Sequence, residues 1–328
     1  MKRRESVLAL IAVGAAALMS DARAQGKVWR VGVLSPRHRP DSMDTDLPGA
    51  FLRGMRELGY VEGWNLVIEW RFADGKSERL PDLAVELVQL KVDEIVCGSS
   101  QGIRALQHAT TTIPIVMATS GDPVGSGFVA SLARPGGNIT GLSNLLGDIG
   151  PKQLELLLGI VPNLSRVAMF VNPVNPANAT NLKNAQSAAQ KVNVRVVPVE
   201  IRSSQEIESA FSMMTRERTE AVIVTTDAIF IEQRRQIVQL ATKLRLPSIS
   251  GMGEFTEAGG LMSYGPNFPE QYRRAATFVD KIFKGAKPGD LPVEQPATFE
   301  FFINNKTAKS LGLTIPQSML LRADRVIE

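Results

Sequence analysis

The chain has 328 residues, 44% of them apolar, which is enough for two domains with a core each. Its formal net charge is +4, and removal of residues 1–24 would take away Lys2, Arg3, Arg4 and Arg23 against Glu5 and Asp21, leaving +2. So small a surplus, scattered and without interleaved aromatics, argues against nucleic acid as a partner, and a single cysteine, Cys97, rules out an intrachain disulfide.

The chain opens on a leader. Lys2, Arg3 and Arg4 precede an apolar stretch, 7–19, and Ala22-Arg23-Ala24 forms an A-x-A cleavage site. The apolar stretch falls short of the roughly 20 residues a bilayer span requires. A cleaved export signal is therefore expected, with cleavage near Ala24 and a periplasmic mature protein that does not itself span the membrane. Arg3-Arg4 leaves both the Sec and the twin-arginine routes open. Cys97 is not at the cleavage site, so no lipid anchor is indicated; in the apolar run at 94–97 it reads as a small core residue.

An apolar run at 31–34, ending at Ser35-Pro36, is expected as the first strand. Residues 48–58 carry Phe51, Met55 and Leu58 at helical spacing, and Gly59 closes them. A second strand at 66–72, an amphipathic helix at 80–90, a third strand at 93–97, a helix at 101–109 and a fourth strand at 113–118 follow. After the polar turn Thr119-Ser120-Gly121-Asp122-Pro123, a short helix is expected at 126–133, stopped by Arg134-Pro135-Gly136-Gly137.

The same rhythm then restarts, with helix 152–161, strand 166–171 ending in Asn172-Pro173, helix 177–192 and strand 194–199. Helix 207–216, strand 221–224 ending in Thr225-Thr226-Asp227, helix 230–243 and strand 247–250 complete it. Alternating strands and helices imply parallel sheets, and two such series imply two doubly wound α/β lobes, although no residues repeat between the halves. The tail holds a strand at 260–264, a helix at 271–284, a strand at 297–303 and a short helix at 306–311. These pieces are expected to cross between the lobes, complete both sheets and form a hinge. The first lobe would then comprise 28–142 with parts of 260–328, and the second 150–258 with parts of 296–328.

An enzyme is poorly supported. The two histidines, His38 and His108, sit in no nucleophile–base or metal-ligand spacing. His108 reads as a surface helix residue. Gly125-Ser126-Gly127-Phe128-Val129-Ala130 fits G-x-G-x-x-A, but it begins seven residues after Ala118 and follows the fourth strand. A dinucleotide fingerprint needs a tight turn after the first strand. No catalytic residue, metal or cofactor is expected.

The strand ends suit a ligand clamp better. Ser35, Ser99, Ser100, Thr119, Ser120 and Asp122 end the strands of the first series; Asn172, Thr225, Thr226, Asp227 and Ser250 end those of the second. Hydroxyls and free N–H groups at helix starts suit a carboxylate. Asp122 and Asp227 suit an ammonium group, because a desolvated cation needs a charged partner. Together they describe a zwitterion such as an amino acid. Ser, Thr, Asn and Asp are also ordinary helix caps, and Asp before Pro starts turns. Tyr264 reads either as a gate or stacking surface for the solute or as a strand residue filling the lobe boundary. Arg37-His38-Arg39 reads as a solvated loop, with attraction of an anion as the alternative.

Several long stretches resemble a known family. They are Asp122-Pro123-Val124 followed by the run from Ser131 to Gly141 (SLARPGGNITG), the run from Ala258 to Gly265 (AGGLMSYG), Leu291 to Pro296 (LPVEQP), and Lys306 to Pro316 (KTAKSLGLTIP). They are similar to the ABC transporter substrate-binding proteins that include the tryptophan- and phenylalanine-binding TrpX-type members, over essentially the whole mature chain. The resemblance implies a type I periplasmic-binding fold, with delivery of a small-molecule solute to an ABC permease and its ATPase. It also implies a ligand held by Ser99, Ser100, Thr119, Ser120 and Asp122 in the first lobe, with Asn172 and Asp227 closing from the second. An aromatic amino acid is the first expectation for the solute, and another carboxylate-bearing aromatic or a branched amino acid the next. The rival function is a periplasmic sensor that presents its solute to a membrane receptor.

Overall fold

Parallel strands covered on both faces explain the uninterrupted apolar runs. The structure is a computed structural model that describes residues 27–44, 46–144, 146–296 and 298–328; the expected leader at 1–24 lies outside these residues. The first sheet holds β1 (Trp29–Ser35), β2 (Leu66–Phe72), β3 (Glu94–Cys97), β4 (Ile115–Met117) and β5 (Ile139–Gly141), all parallel, in the order β2-β1-β3-β4-β5. Its helices are α1 (Asp46–Glu57), α2 (Leu80–Gln89) and α3 (Ser100–Ala109).

After α4 (Leu146–Leu158) the second sheet begins with β6 (Arg166–Val171), α5 (Pro176–Gln190), β7 (Arg195–Glu200), α6 (Ile207–Arg216) and β8 (Ala221–Val224). It continues through α7 (Ala228–Glu232), α8 (Arg234–Lys243), β9 (Ser248–Ser250), α9 (Gly253–Glu257) and β10 (Met262–Pro266). The chain then runs through α10 (Phe268–Phe283), β11 (Phe299–Asn304), α11 (Asn305–Leu311), α12 (Gln317–Leu320) and β12 (Arg325–Ile327). The order is β12-β11-β10-β9-β8-β6-β7, with β10 and β11 antiparallel and the other pairs parallel.

Each sheet is sandwiched between helices. In β6 the two-residue period sends Val167, Met169 and Val171 into one buried cluster with α4 and α5, and Ala168 and Phe170 into another with α6 and α8. In β1 it sends Val31 and Val33 toward α1 and α10, and Leu34 toward α2 and α3. The sheets are α/β and dominated by parallel pairing, as the alternation of elements implies.

The chain passes between the lobes after β5, between β10 and α10, and before β11. The first and last passages bridge each other: Ser143 N–H donates to Glu294 O at 2.8 Å, and Leu142 pairs with Glu294. The middle passage returns α10 to the first lobe, where it packs on α1. Gly54 permits the close approach, since a Cβ there would lie 2.3 Å from Arg273 O.

Some expectations are corrected. The tail does not complete both sheets; β10, β11 and β12 all join the second, and the first lobe receives helix α10 instead of a strand. Residues 126–133 form turns rather than a helix, because Gly127 takes a left-handed φ of +69° just as the turn closes onto Pro123 O. The helix expected at 230–243 is two, broken at Gln233, which leaves the helical region at φ −96°, ψ 15°. Strand β5 and the short elements α9, α12 and β12 were not among the expected elements; each has seven residues or fewer, too few for a period to register. Cys97 is buried and unpaired, and burial pushes its thiol up to about 11.

Candidate functional site

In a doubly wound sheet the strand order reverses at one point, and the loops there diverge to leave a crevice at the carboxyl ends. In the first sheet this point lies between β1 and β3, where Ser35 and Gly98-Ser99 end the strands; in the second it lies between β6 and β8, where Asn172 and Thr226-Asp227 follow. The two points face each other across a cleft. Ser35, Arg37, Ser99, Ser100, Gln101 and Thr119 line it from the first lobe, with Ser120 and Asn144 beyond them. Asn175, Thr226, Asp227 and Ile231 line it from the second.

Asp227 is the most heavily bonded group in the cleft. It caps α7, its Oδ1 accepting from Ile229 N–H at 3.1 Å and from Asn172 Nδ2 at 3.2 Å. Its Oδ2 accepts from Asn175 Nδ2 at 2.9 Å and, across the cleft, from Gln101 Nε2 at 3.0 Å. Four donors fill the acceptor capacity of an ionised carboxylate. Gln101 is the one that comes from the opposite lobe, in the first turn of α3.

Helix α3 begins at the cleft. Ser99 is extended at its N-cap and its Oγ accepts from Gly102 N–H at 3.1 Å, so Ser99 is both a lining residue and a cap. Thr119 Oγ1 accepts from Asn144 Nδ2 at 2.8 Å. Ser120 Oγ, Asn144 Oδ1 and Thr226 Oγ1 are buried with no hydrogen-bond partner among the described residues. Buried polar atoms of this kind are normally satisfied, so these three are free to bond a further group in the cleft.

Arg37, expected in a solvated loop, closes one side of the cleft. Its Nε donates to Glu232 at 3.3 Å, and its Nη1 and Nη2 donate to Glu254 at 3.4 and 3.1 Å, both carboxylates belonging to the second lobe. Burial works against its charge, but the carboxylates of Glu254 and Glu232 outweigh burial and raise its pKa.

Of the residues expected at the site, Ser35, Ser99, Ser100, Thr119, Ser120 and Asp227 are brought together in the cleft. Four stand outside its lining. Asp122 turns its oxygens to Gly125 N–H at 2.8 Å and to the Thr180 hydroxyl of α5 at 3.3 Å, which makes it a turn cap and a contact between lobes. Asn172 lies behind Asp227 and orients it. Thr225 points into the second lobe, donating to Phe170 O at 2.7 Å. Tyr264 stacks on Phe299, ring centroids 5.6 Å apart at 9°, against the second lobe's core.

Of the two threonines expected at the end of β8, it is Thr226 that lines the cleft. Residues beyond those expected complete the lining. Asn175 caps α5, a role its place before Pro176 signals. Tyr272 comes from α10, and its hydroxyl lies so close to Gly98 that a Cβ there would be 1.9 Å away. Nothing in the local sequence around Tyr272 signals that contact. Among the described residues no cluster of His, Cys, Asp and Glu could hold a metal, and no helix is long and apolar enough to cross a membrane.

Comparison with known proteins bears on the family and the fold. A tyrosine-binding protein of Clostridioides difficile (strain R20291) is 27% identical over 263 residues, covering 80% of this chain and 75% of the relative. A crystal structure of a conserved domain protein from Vibrio cholerae superposes with a TM-score of 0.86 at 27% identity, over 92% of this chain and all of that one. The crystal structure of an ABC domain in complex with L-Trp from Streptococcus pneumonia superposes at 0.85 with 27% identity, over 91% of this chain and 99% of that one. A family profile described as ABC transporter substrate binding protein matches residues 31–327, and the chain belongs to that family.

Proposed function

We propose that the protein is the exported solute receptor of an ABC-type importer and that it holds an aromatic amino acid between its lobes. The observation that carries this reading is the meeting of both sheets' switch points at one cleft, with Asp227 on one wall and the start of α3 on the other. The N–H groups of the first turn of α3 and its dipole suit the solute's carboxylate. Asp227 takes the ammonium group, giving up the Gln101 amide, which belongs to the lobe that moves away on opening. The unpartnered atoms of Ser120, Asn144 and Thr226 take the remaining polar contacts. Closure removes water and strengthens each of these interactions. A relative named for tyrosine and a related structure holding L-Trp support the aromatic class.

The leader at 1–24 carries the chain to the periplasm and is removed, and the closed form docks on a permease driven by its ATPase. The test is native purification of the exported chain, mass spectrometry of whatever it releases, and calorimetry against the standard amino acids. An aromatic amino acid is expected in the release. It should also raise thermal stability, by about 2.7 kcal/mol at a hundred times its dissociation constant. A chain that retains no amino acid, and whose melting temperature none of them shifts, overturns the reading.

A further inference from the structure

A second cavity adjoins the cleft on the far side of Arg37: Ser35, Arg37, Leu47 and Tyr272 border both, and it extends toward the edge of the first sheet. The parallel register of β1 and β2 builds its floor. Val33 lies opposite Trp70 and Ser35 opposite Phe72, so all four side chains stand on one face of the sheet. Trp70 and Phe72 lie nearly parallel, ring centroids 6.1 Å apart at 12°, and both are only half-buried beside an open volume. Such flat faces are a large apolar surface for a planar group.

The rim is cationic. Arg39 from the first lobe and Arg234 from the second line the cavity, and neither is in an ion pair among the described residues; Arg234, at the start of α8, donates to Ile231 O in the last turn of α7 at 2.7 Å. Of the two acids in the lining, Glu232 is engaged by Arg37, which leaves Asp46 opposing two arginines. A guanidinium's fixed fork of donors matches a carboxylate or a comparable planar anion. Because Arg39 and Arg234 approach from opposite lobes, a distal anion between them would also favour closure.

From these features we infer a second subsite, adjoining the first, that takes the aryl group of the solute together with an anionic substituent at its far end. The inference rests on the amino-acid reading above and narrows it: the preferred solute is an aromatic amino acid carrying a second negative charge on the ring, rather than a plain one.

The probes are L-phenylalanine, 4-methyl-L-phenylalanine and 4-carboxy-L-phenylalanine, titrated into the mature chain by calorimetry. The carboxylated probe should bind at least about tenfold more tightly than phenylalanine, as expected for hydrogen bonds to a charged group. The methylated probe, which adds bulk without charge, should gain little. In the Arg39→Gln, Arg234→Gln double variant the ratio of carboxylated-probe affinity to phenylalanine affinity should fall to about one. Phenylalanine binding with no gain from the carboxylate, or a gain that survives in the double variant, overturns the second subsite and leaves the amino-acid reading standing. Binding of none of the three overturns both.

Discussion

Asp227 already accepts four hydrogen bonds, from Ile229 N–H, Asn172, Asn175 and Gln101, so a solute ammonium must displace one donor to reach it. The Gln101 bond crosses between lobes and is the one that opening breaks. Asp227→Asn keeps the shape but turns an acceptor into a donor facing other amides; an affinity loss of at least about tenfold is expected by calorimetry, together with about 1–3 kcal/mol of destabilisation. Asp122→Ala should change affinity by no more than about threefold, because that carboxylate serves a turn and Thr180. A reversed order of effects would reassign the ammonium partner. Residue type at a strand end was enough to mark both aspartates as candidates. It could not separate them, since a cap and a ligand contact draw on the same chemistry. Thr225 and Thr226 make the same point: both end β8, and only the direction of the side chain decides which one is structural.

At the scale of elements, the strands and most helices were legible because buried parallel strands and amphipathic helices leave strong periods in the sequence. The placement of α10 was not. Its apolar face, including Phe268, Tyr272, Ala275 and Ala276, says that it is buried but not that it packs in the first lobe, across from α1. That assignment comes from the chain's passage after β10, a fact of topology. The consequence for the site is direct, because Tyr272 reaches the turn between β3 and α3. Gly98→Ala would set a methyl group against the Tyr272 ring and hydroxyl, and the ring is held by the packing of α10. A loss of about 1–3 kcal/mol is expected from thermal unfolding, typical of overpacking. An unchanged melting temperature would mean that Tyr272 is free to swing away from the turn.

For the whole molecule, the polar contacts between the lobes among the described residues include Arg37 with Glu232 and Glu254, His38 with Glu232, Gln101 with Asp227, and Thr180 with Asp122. On the proposed reading each of these would break as the lobes part, while the crossing segments stay tied to each other through Ser143 N–H and Glu294 O and to the first sheet through Leu142 N–H and Met117 O. A solute that contacts both walls stabilises the closed arrangement by its difference in affinity for the two states. The most direct measurement is small-angle scattering of the mature chain, alone and with a saturating aromatic amino acid. The radius of gyration should fall when the solute is added, and Glu254→Gln, which removes one of Arg37's carboxylates, should leave the solute-free chain more extended than the native one. A radius of gyration that stays the same at a solute concentration where calorimetry shows full occupancy would contradict closure of the two lobes on the bound molecule.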